Sequence, residues 1–269
     1  MSQTPPAEAK IARDDALTIC AISAVASMLS TMLHEGLGHA ATAILTLHAS
    51  GILTTVAWSS TSDSRLVAAG GTLVNLAAAL VFWLLLRAAG KASPATRFFL
   101  VILTAFNLFS GTGYFFYSGV TNFGDWEQVI RGLHPYWALR TMLIVVGIAA
   151  YYAAVLVIGT SIVHSLGVAR TNHVRIRRLM LLPYFTALIL EGGAALLNPF
   201  GVKFVFVSAL AATAGGNNAM LWLQYYIPKS IVPGPDSSVI PRSYPWIIVA
   251  VLLAAAFITI LGPGIHLPR

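Results

Sequence analysis

The stretch that decides the fold of this chain is Leu33-His34-Glu35-Gly36-Leu37-Gly38-His39-Ala40. It lies near the C-terminal end of the first long apolar segment, where ionisable side chains are a sign of a functional site. Two imidazoles can hold a metal ion while a nearby carboxylate that is not a ligand handles protons. The common helical form of this arrangement is H-E-x-x-H, with the histidines four residues apart. Here they are five apart.

The extra residue has to be accommodated by the backbone. On a regular α-helix, residues five apart differ by about 140° in direction, so His34 and His39 would face different ways. A π-bulge stacks residues five apart, and Gly36 and Gly38 make such a distortion inexpensive. We predict the bulge. Two alternatives stay open: Glu35 and His39 are the ligands while His34 has another role, or the motif is a buried His/Glu pair without metal.

The composition identifies the class of protein. Of its 269 residues, 57% are hydrophobic and 9% are charged, and the mean hydropathy is +0.79. Soluble domains carry about 25% charged residues, so the chain is predicted to be an all-α polytopic membrane protein in contact with the lipid bilayer. Its formal charge of +7 indicates basic loops rather than nucleic-acid binding. The single cysteine, Cys20, excludes an intrachain disulfide and a multi-cysteine metal site.

Seven apolar segments are each about long enough to cross a ~30 Å hydrocarbon core. They cover residues 16–47, 66–86, 98–117, 141–166, 179–197, 203–226 and 245–262. With seven crossings, eleven of the sixteen Lys and Arg residues fall on the side of the N-terminus. The excess of basic residues predicts a cytoplasmic N-terminus and an integral protein of the cell (inner) membrane. Six or eight crossings are the alternatives.

Polar residues at membrane depth supply candidates for the rest of the site. Asn75 lies early in helix two, Asn107 lies within helix three, and Asp125 follows helix three. Helices one and three run in the same direction, and helix two runs against them. The His/Glu motif, Asn75 and Asp125 are therefore predicted to lie on the same side of the membrane. Asp125 is the candidate third ligand. Residues 49–62 are β-branched and bounded by turns, which predicts a strand or hairpin at the membrane face, or an interfacial loop.

Three further features are open. Glu191 lies inside an apolar segment and could line a substrate path, join the site or pair with an arginine such as Arg140. His48 and His134 fall on the side of the site and are reserve ligands. The run at 215–218, Gly-Gly-Asn-Asn, should break helix six near its middle.

With these residues in place, the chain resembles the site-2 protease family of intramembrane zinc metallopeptidases. The core of that family has a helix with H-E-x-x-H, a second with G-P-x-x-N, and a third that contributes an Asn and a metal-binding Asp. The similar residues here are His34-Glu35…His39, Gly71-Thr72-Leu73-Val74-Asn75, Asn107 and Asp125.

The resemblance covers about residues 16–126 and departs from the family pattern at three points. The histidine spacing is one residue longer, Thr72 stands where proline is usual, and Trp126 stands where the family has glycine. Asn107 and Asp125 are also further apart than usual. The longer spacing itself occurs in the soluble dipeptidyl-peptidase III type of zinc peptidase.

The resemblance implies a Zn²⁺ site within the membrane. His34, His39 and Asp125 would ligate, Glu35 would activate the bound water, and Asn75 and Asn107 would orient substrate or stabilise the oxyanion. The implied reaction is hydrolysis of a peptide bond in or near a transmembrane segment. The family also presents substrate by strand addition near the active site, a role that segment 49–62 could serve.

This reading divides the chain into three parts. Residues 1–15 form a disordered cytoplasmic tail, residues 16–126 form a metallopeptidase-like core, and residues 127–269 form accessory transmembrane helices four to seven. The expected partner is a transmembrane or membrane-proximal protein substrate. The alternatives are a protease-like membrane binding protein without catalysis, motivated by the altered spacing, and a proton- or metal-coupled transporter, motivated by the intramembrane acids.

Overall fold

A computed structural model describes residues 13–234 and 239–267 of the chain. This part is a bundle of helices with one small sheet. The helices are α1 (Ala16–Leu47), α2 (Arg65–Ala88), α3 (Pro94–Thr121), α4 (Asp125–Ile130), α5 (Tyr136–Leu166), α6 (His173–Ala195), α7 (Val202–Tyr225) and α8 (Tyr244–Leu261). The strands are β1 (Gly51–Leu53), β2 (Trp58–Ser60) and β3 (Ile265–Leu267).

The helices confirm the prediction of a helical membrane protein. Within the described residues, six helices are long and apolar enough to cross a membrane, namely α1, α2, α3, α5, α7 and α8. The predicted segment 179–197 falls in α6, whose 23 residues begin with a cluster of arginines and include Pro183 and Glu191. A crossing by α6 is therefore less favourable than one by its neighbours, and the count of seven stays a prediction.

Local sequence sets where the long helices begin and end. Asp15 caps α1 by accepting a hydrogen bond from the backbone nitrogen of Thr18, at 2.9 Å. Ser64 caps α2 in the same way. Ser93 caps α3, and Pro94 occupies its first turn, where the missing N–H costs nothing. Each start lies within four residues of the predicted apolar segment because hydrophobicity fixes the span and the cap fixes its first residue.

Helix α1 changes its winding in the middle. Its first part, Ala16–Met32, is α-helical, Leu33–Ala41 is π-helical, and Thr42–Leu47 is α-helical again. The predicted distortion at the His/Glu motif is confirmed, and it extends over two turns of π-helix. Helix α7 is also irregular, since its π-helical part ends at Gly216 and short 3₁₀ turns follow, at the place where a break was predicted.

The π-helical turn lies directly against α2. A Cβ atom on Gly38 would come within 2.4 Å of Gly71 Cα, and one on Gly70 would come within 2.0 Å of the Gly38 carbonyl oxygen. The two backbones are therefore in contact, as small residues permit between membrane helices. This close approach brings α2 beside the histidines.

Helix α3 forms the centre of the bundle. Phe98, Ile102, Ala105 and Phe109 on this helix are fully buried, and the largest hydrophobic cluster forms around them. Helix α3 packs against α1, α2 and α5. As a result, its C-terminal end is held at the level of the His/Glu motif, and the chain enters α4 at Asp125.

The predicted hairpin in 49–62 is confirmed. Strands β1 and β2 pair antiparallel, with Ile52 opposite Ser59. The third strand, β3, was not predicted; it pairs antiparallel with the other edge of β1, so the order is β2-β1-β3. A three-residue strand close to the C-terminus has no signal of its own because it depends on a partner far away in the sequence.

The N-terminal end is attached to the bundle by ion pairs. Most of the predicted tail 1–15 lies outside the described residues. Asp14 accepts two hydrogen bonds from Arg175, at 2.7 and 2.9 Å. Arg242 donates to Asp15 at 2.9 Å, and this hydrogen bond lowers the pKa of Asp15 to about 2. These pairs connect the start of α1 to α6 and to the segment before α8.

Candidate metal centre

The π-helical turn brings the two imidazoles of the motif together. The ring centroids of His34 and His39 are 4.8 Å apart, with the rings nearly perpendicular. Their Nε2 atoms are 3.2 Å apart. Residues five apart stack only on a π-helix, so the unusual spacing and the unusual winding compensate for each other. His34 and His39 face each other here, as the predicted bulge requires.

Asp125 completes the group. Asn122 (φ 56°) and Gly124 (φ 91°) turn the chain sharply after α3, and Asp125 is the first residue of α4. Its Oδ2 atom lies 3.3 Å from His34 Nε2 and 3.5 Å from His39 Nε2. The prediction that His34, His39 and Asp125 lie together is confirmed.

The three atoms have the separations that a shared metal ion requires. In a tetrahedral site with N and O ligands at about 2.0–2.1 Å, the ligand atoms lie roughly 3.3–3.4 Å from one another. The observed separations are 3.2, 3.3 and 3.5 Å. Asp125 Oδ2 is buried and has no hydrogen-bond partner among the described residues, as expected of an atom reserved for a cation. These residues could hold a metal ion.

Hydrogen bonding prepares His39 for this role. Its Nδ1 atom lies 2.7 Å from the carbonyl oxygen of Val67 on α2. A carbonyl oxygen only accepts, so in the neutral ring Nδ1 carries the proton and Nε2 keeps a free lone pair. Metal-binding histidines are commonly oriented by such a bond. The lone pair of His39 is therefore directed toward His34 and Asp125.

Asp125 forms a charge pair with the two imidazoles when they are protonated. Burial by itself raises the pKa of the Asp125 carboxyl, but the charge of protonated His39 and the contacts with both imidazoles outweigh burial and hold the pKa well below its usual range. A cation bound among these three side chains would favour the ionised carboxylate in the same way.

Gly71 makes room for the imidazoles. A Cβ atom at this position would lie 2.5 Å from His39 Nε2 and 2.6 Å from His34 Nε2. Real Cβ atoms essentially never come so close to other heavy atoms. The glycine of the Gly71-Thr72-Leu73-Val74-Asn75 motif is thus required by the site itself.

We therefore expect Gly71→Ala to reduce the affinity for a metal ion at this site by about 10–100-fold, the range seen when support for metal ligands is lost. Metal content and affinity of the purified protein would be measured by elemental analysis and competition titration. Gly193→Ala is the matched control, because a Cβ there meets nothing within 4 Å. Wild-type affinity in Gly71→Ala would show that the rings do not occupy these positions.

Glu35 lies beside the three candidate ligands and is not part of the group that could hold a metal ion. It is 6% exposed and lines two cavities. The first, which we call the strand cavity, measures about 330 Å³ and is bordered by His39, Asp125 and strand β2. The second, the polar cavity, measures about 50 Å³ and is bordered by His34. Glu35 therefore faces the space on both sides of the histidines.

The two asparagines have different surroundings. Asn75 is 1% exposed, lines the polar cavity beside His34 and Glu35, and keeps its Oδ1 atom unpartnered among the described side chains. Asn107 donates through Nδ2 to the carbonyl oxygen of Leu103 on its own helix. Its Oδ1 atom is also unpartnered among the described side chains, but Asn107 borders neither the strand cavity nor the polar cavity. The structure thus brings Asn75 to the site and leaves Asn107 outside it.

The other candidates lie elsewhere. His48 and His134 do not belong to the group that could hold a metal; within the described chain, that group consists of the three ligands. Glu191 does not pair with Arg140, which donates to the carbonyl oxygens of Gly119 and Val120. Instead, Glu191 accepts hydrogen bonds from side chains of α1 and borders the polar cavity.

Sequence reasoning missed Tyr114. Its ring stacks on His34, with centroids 4.8 Å apart and an angle of 24°, and it borders both the strand cavity and the polar cavity. Tyr114 lies seven residues after Asn107, two turns along one face of α3. A polar residue at that spacing in an apolar helix was the available signal.

The fold and the site together define a helical integral membrane protein with a candidate His-His-Asp metal centre. No family model matches the chain, and no curated protein and no solved structure matches it significantly.

Proposed function

We propose that the protein is an integral-membrane zinc metalloprotease that hydrolyses peptide bonds in or near transmembrane segments. The observation that carries this proposal is the triangle of His34 Nε2, His39 Nε2 and Asp125 Oδ2, with the separate carboxylate of Glu35 beside it. Two imidazoles and a carboxylate are a common ligand set of catalytic zinc, which keeps one position open. When bound, Zn²⁺ supplies Lewis acidity to a carbonyl oxygen and to water.

Glu35 provides acid–base chemistry in this proposal. Its carboxylate borders the strand cavity together with two ligands, so a carboxylate oxygen can take a proton from the attacking water. The same oxygen can then return the proton to the nitrogen of the leaving amine. A positioned carboxylate of this kind contributes typically about 10²–10⁴-fold to a rate.

The small sheet offers a way to hold the substrate. Strand β2 is an edge strand, and its residues Trp58, Ser59 and Ser60 line the strand cavity with Glu35 and His39. An extended peptide can add to such an edge through main-chain hydrogen bonds. In the proposal, this addition keeps the scissile bond extended beside Glu35.

A larger apolar cavity accounts for the preference for transmembrane segments. It measures about 480 Å³ and lies between α3, α5 and α7, with mostly apolar walls. Tyr114 and Tyr117 border both this cavity and the strand cavity. The apolar side chains of a substrate can therefore be accommodated next to the site.

We expect chelation of the metal to abolish cleavage, and Zn²⁺ alone to restore it. The assay uses the purified full chain in detergent and a reporter with one apolar segment flanked by extended residues. Mg²⁺ serves as the control, because it prefers oxygen ligands. Cleavage that persists in the metal-free protein would contradict the proposal, while zinc binding without cleavage would favour the binding-protein alternative. Metal flux in liposomes would favour the transporter.

A further inference from the structure

The polar cavity borders the site beside His34 and Glu35. It measures about 50 Å³, and its walls include His34, Glu35, Thr55, Asn75 and Glu191. A water molecule needs at least about 10–15 Å³ of such space. The cavity therefore has room for a small cluster of water molecules in the middle of an apolar bundle.

Three buried polar atoms at this cavity lack a hydrogen-bond partner among the described residues. They are His34 Nδ1, Thr55 Oγ1 and Asn75 Oδ1. Each of the three residues is no more than 5% exposed. Buried polar groups are nearly always paired with protein or with ordered water. Three unpaired groups around one cavity indicate that something polar occupies it.

The chemistry of these atoms favours water over a cation. His34 directs Nε2 toward the other ligands, so its Nδ1 atom carries the proton and needs an acceptor. Asn75 Oδ1 can only accept and needs a donor, and the Thr55 hydroxyl can do both. A cation cannot accept a hydrogen bond from His34. Water provides both an acceptor and a donor.

Glu191 is held so that its carboxylate borders the cavity. It is 3% exposed, and its Oε1 atom accepts from Ser27 Oγ at 2.7 Å and from Thr31 Oγ1 at 3.0 Å. Both bonds use the same oxygen, which leaves Oε2 free of these two donors. The carboxylate comes from α6 and its two donors from α1, so Glu191 ties these two helices together beside the cavity.

We propose that the polar cavity binds a cluster of ordered water that Glu191 anchors, and that this water accepts a hydrogen bond from His34 Nδ1. The inference rests on the proposed metal centre. It says what orients His34, whose Nδ1 atom has no hydrogen-bond partner among the described residues. His39 is oriented by the Val67 carbonyl, and water does the same for His34. Glu191 is thus a positioning residue that acts on the metal site through water.

The test measures zinc affinity of the purified full chain by competition titration, with thermal unfolding alongside. Glu191→Gln keeps the oxygen that accepts from Ser27 and Thr31 but replaces the other oxygen by an amide nitrogen. Thr55→Val removes a hydroxyl that has no protein partner and keeps the volume. Both variants should bind zinc about 10–100-fold more weakly. Thr160→Val is the control, because that hydroxyl bonds the carbonyl oxygen of Leu156 on its own helix, away from the cavity.

The other outcomes separate this inference from the proposed function. One outcome is that both variants bind zinc normally and Thr55→Val unfolds at a higher temperature than wild type. This result would show that the cavity is dry, and it would overturn the inference without affecting the metal centre. Weaker binding by Glu191→Gln alone would show that Glu191 acts without the water cluster, which also overturns it. A wild-type chain that binds no zinc would overturn both proposals.

Discussion

Glu35→Gln should lower the rate of reporter cleavage by about 10²–10⁴-fold, the usual contribution of a positioned general base, while zinc stays bound. The amide has nearly the same shape as the carboxylate but cannot take the proton of the attacking water. Zinc should stay because the ligand group consists of His34, His39 and Asp125. Cleavage rate and zinc content would be measured on the same preparation.

Asp63→Asn is the matched control for this variant. Asp63 also lines the strand cavity but is exposed, so its replacement should leave the cleavage rate within a few-fold of wild type. Full activity of Glu35→Gln would contradict the assigned role. Loss of zinc from Glu35→Gln would instead support the alternative in which Glu35 is a ligand.

His39→Ala should remove both zinc and cleavage. Losing a supporting residue of a metal site costs about 10–100-fold in affinity, and losing one of three ligands should cost more than about 100-fold. The packing of α1 against α2 should persist, because the contact between Gly38 and Gly71 does not involve the imidazole. Elemental analysis and circular dichroism of the purified variant would check the metal and the helical fold.

His48→Ala is the control for His39→Ala. His48 follows the last turn of α1 in a left-handed conformation, and it is not part of the ligand group. It should keep zinc and activity. Retention of zinc by His39→Ala, or loss of zinc from His48→Ala, would mean that the metal binds elsewhere.

The main features of α1 were predictable because they follow from local rules. Residues five apart share a face on a π-helix, and the two glycines between the histidines make this winding inexpensive. The structure has such a π-helix at Leu33–Ala41. The caps, the apolar spans and the hairpin of β1 and β2 are also local in sequence. Asp125 was predicted because helices one and three run in the same direction, so their C-terminal ends lie on the same side of the membrane.

Other features depend on contacts that sequence does not encode locally. The polar cavity combines side chains from α1, α2, α3, α6, α7 and the hairpin, and no spacing rule connects them. The hydrogen bonds from Ser27 and Thr31 to Glu191 span more than 150 residues. Asn107 was predicted as a site residue through the resemblance to the site-2 protease family, and in the structure its Nδ2 bonds its own helix.

The central claim is that His34, His39 and Asp125 bind one zinc ion, and X-ray absorption spectroscopy of the zinc-loaded chain tests it most directly. The expected first shell contains two imidazole nitrogens and at least one oxygen at about 2.0–2.1 Å, with one imidazole lost in His34→Ala and one in His39→Ala. A spectrum with no imidazole ligand, or one that neither substitution changes, would contradict the claim.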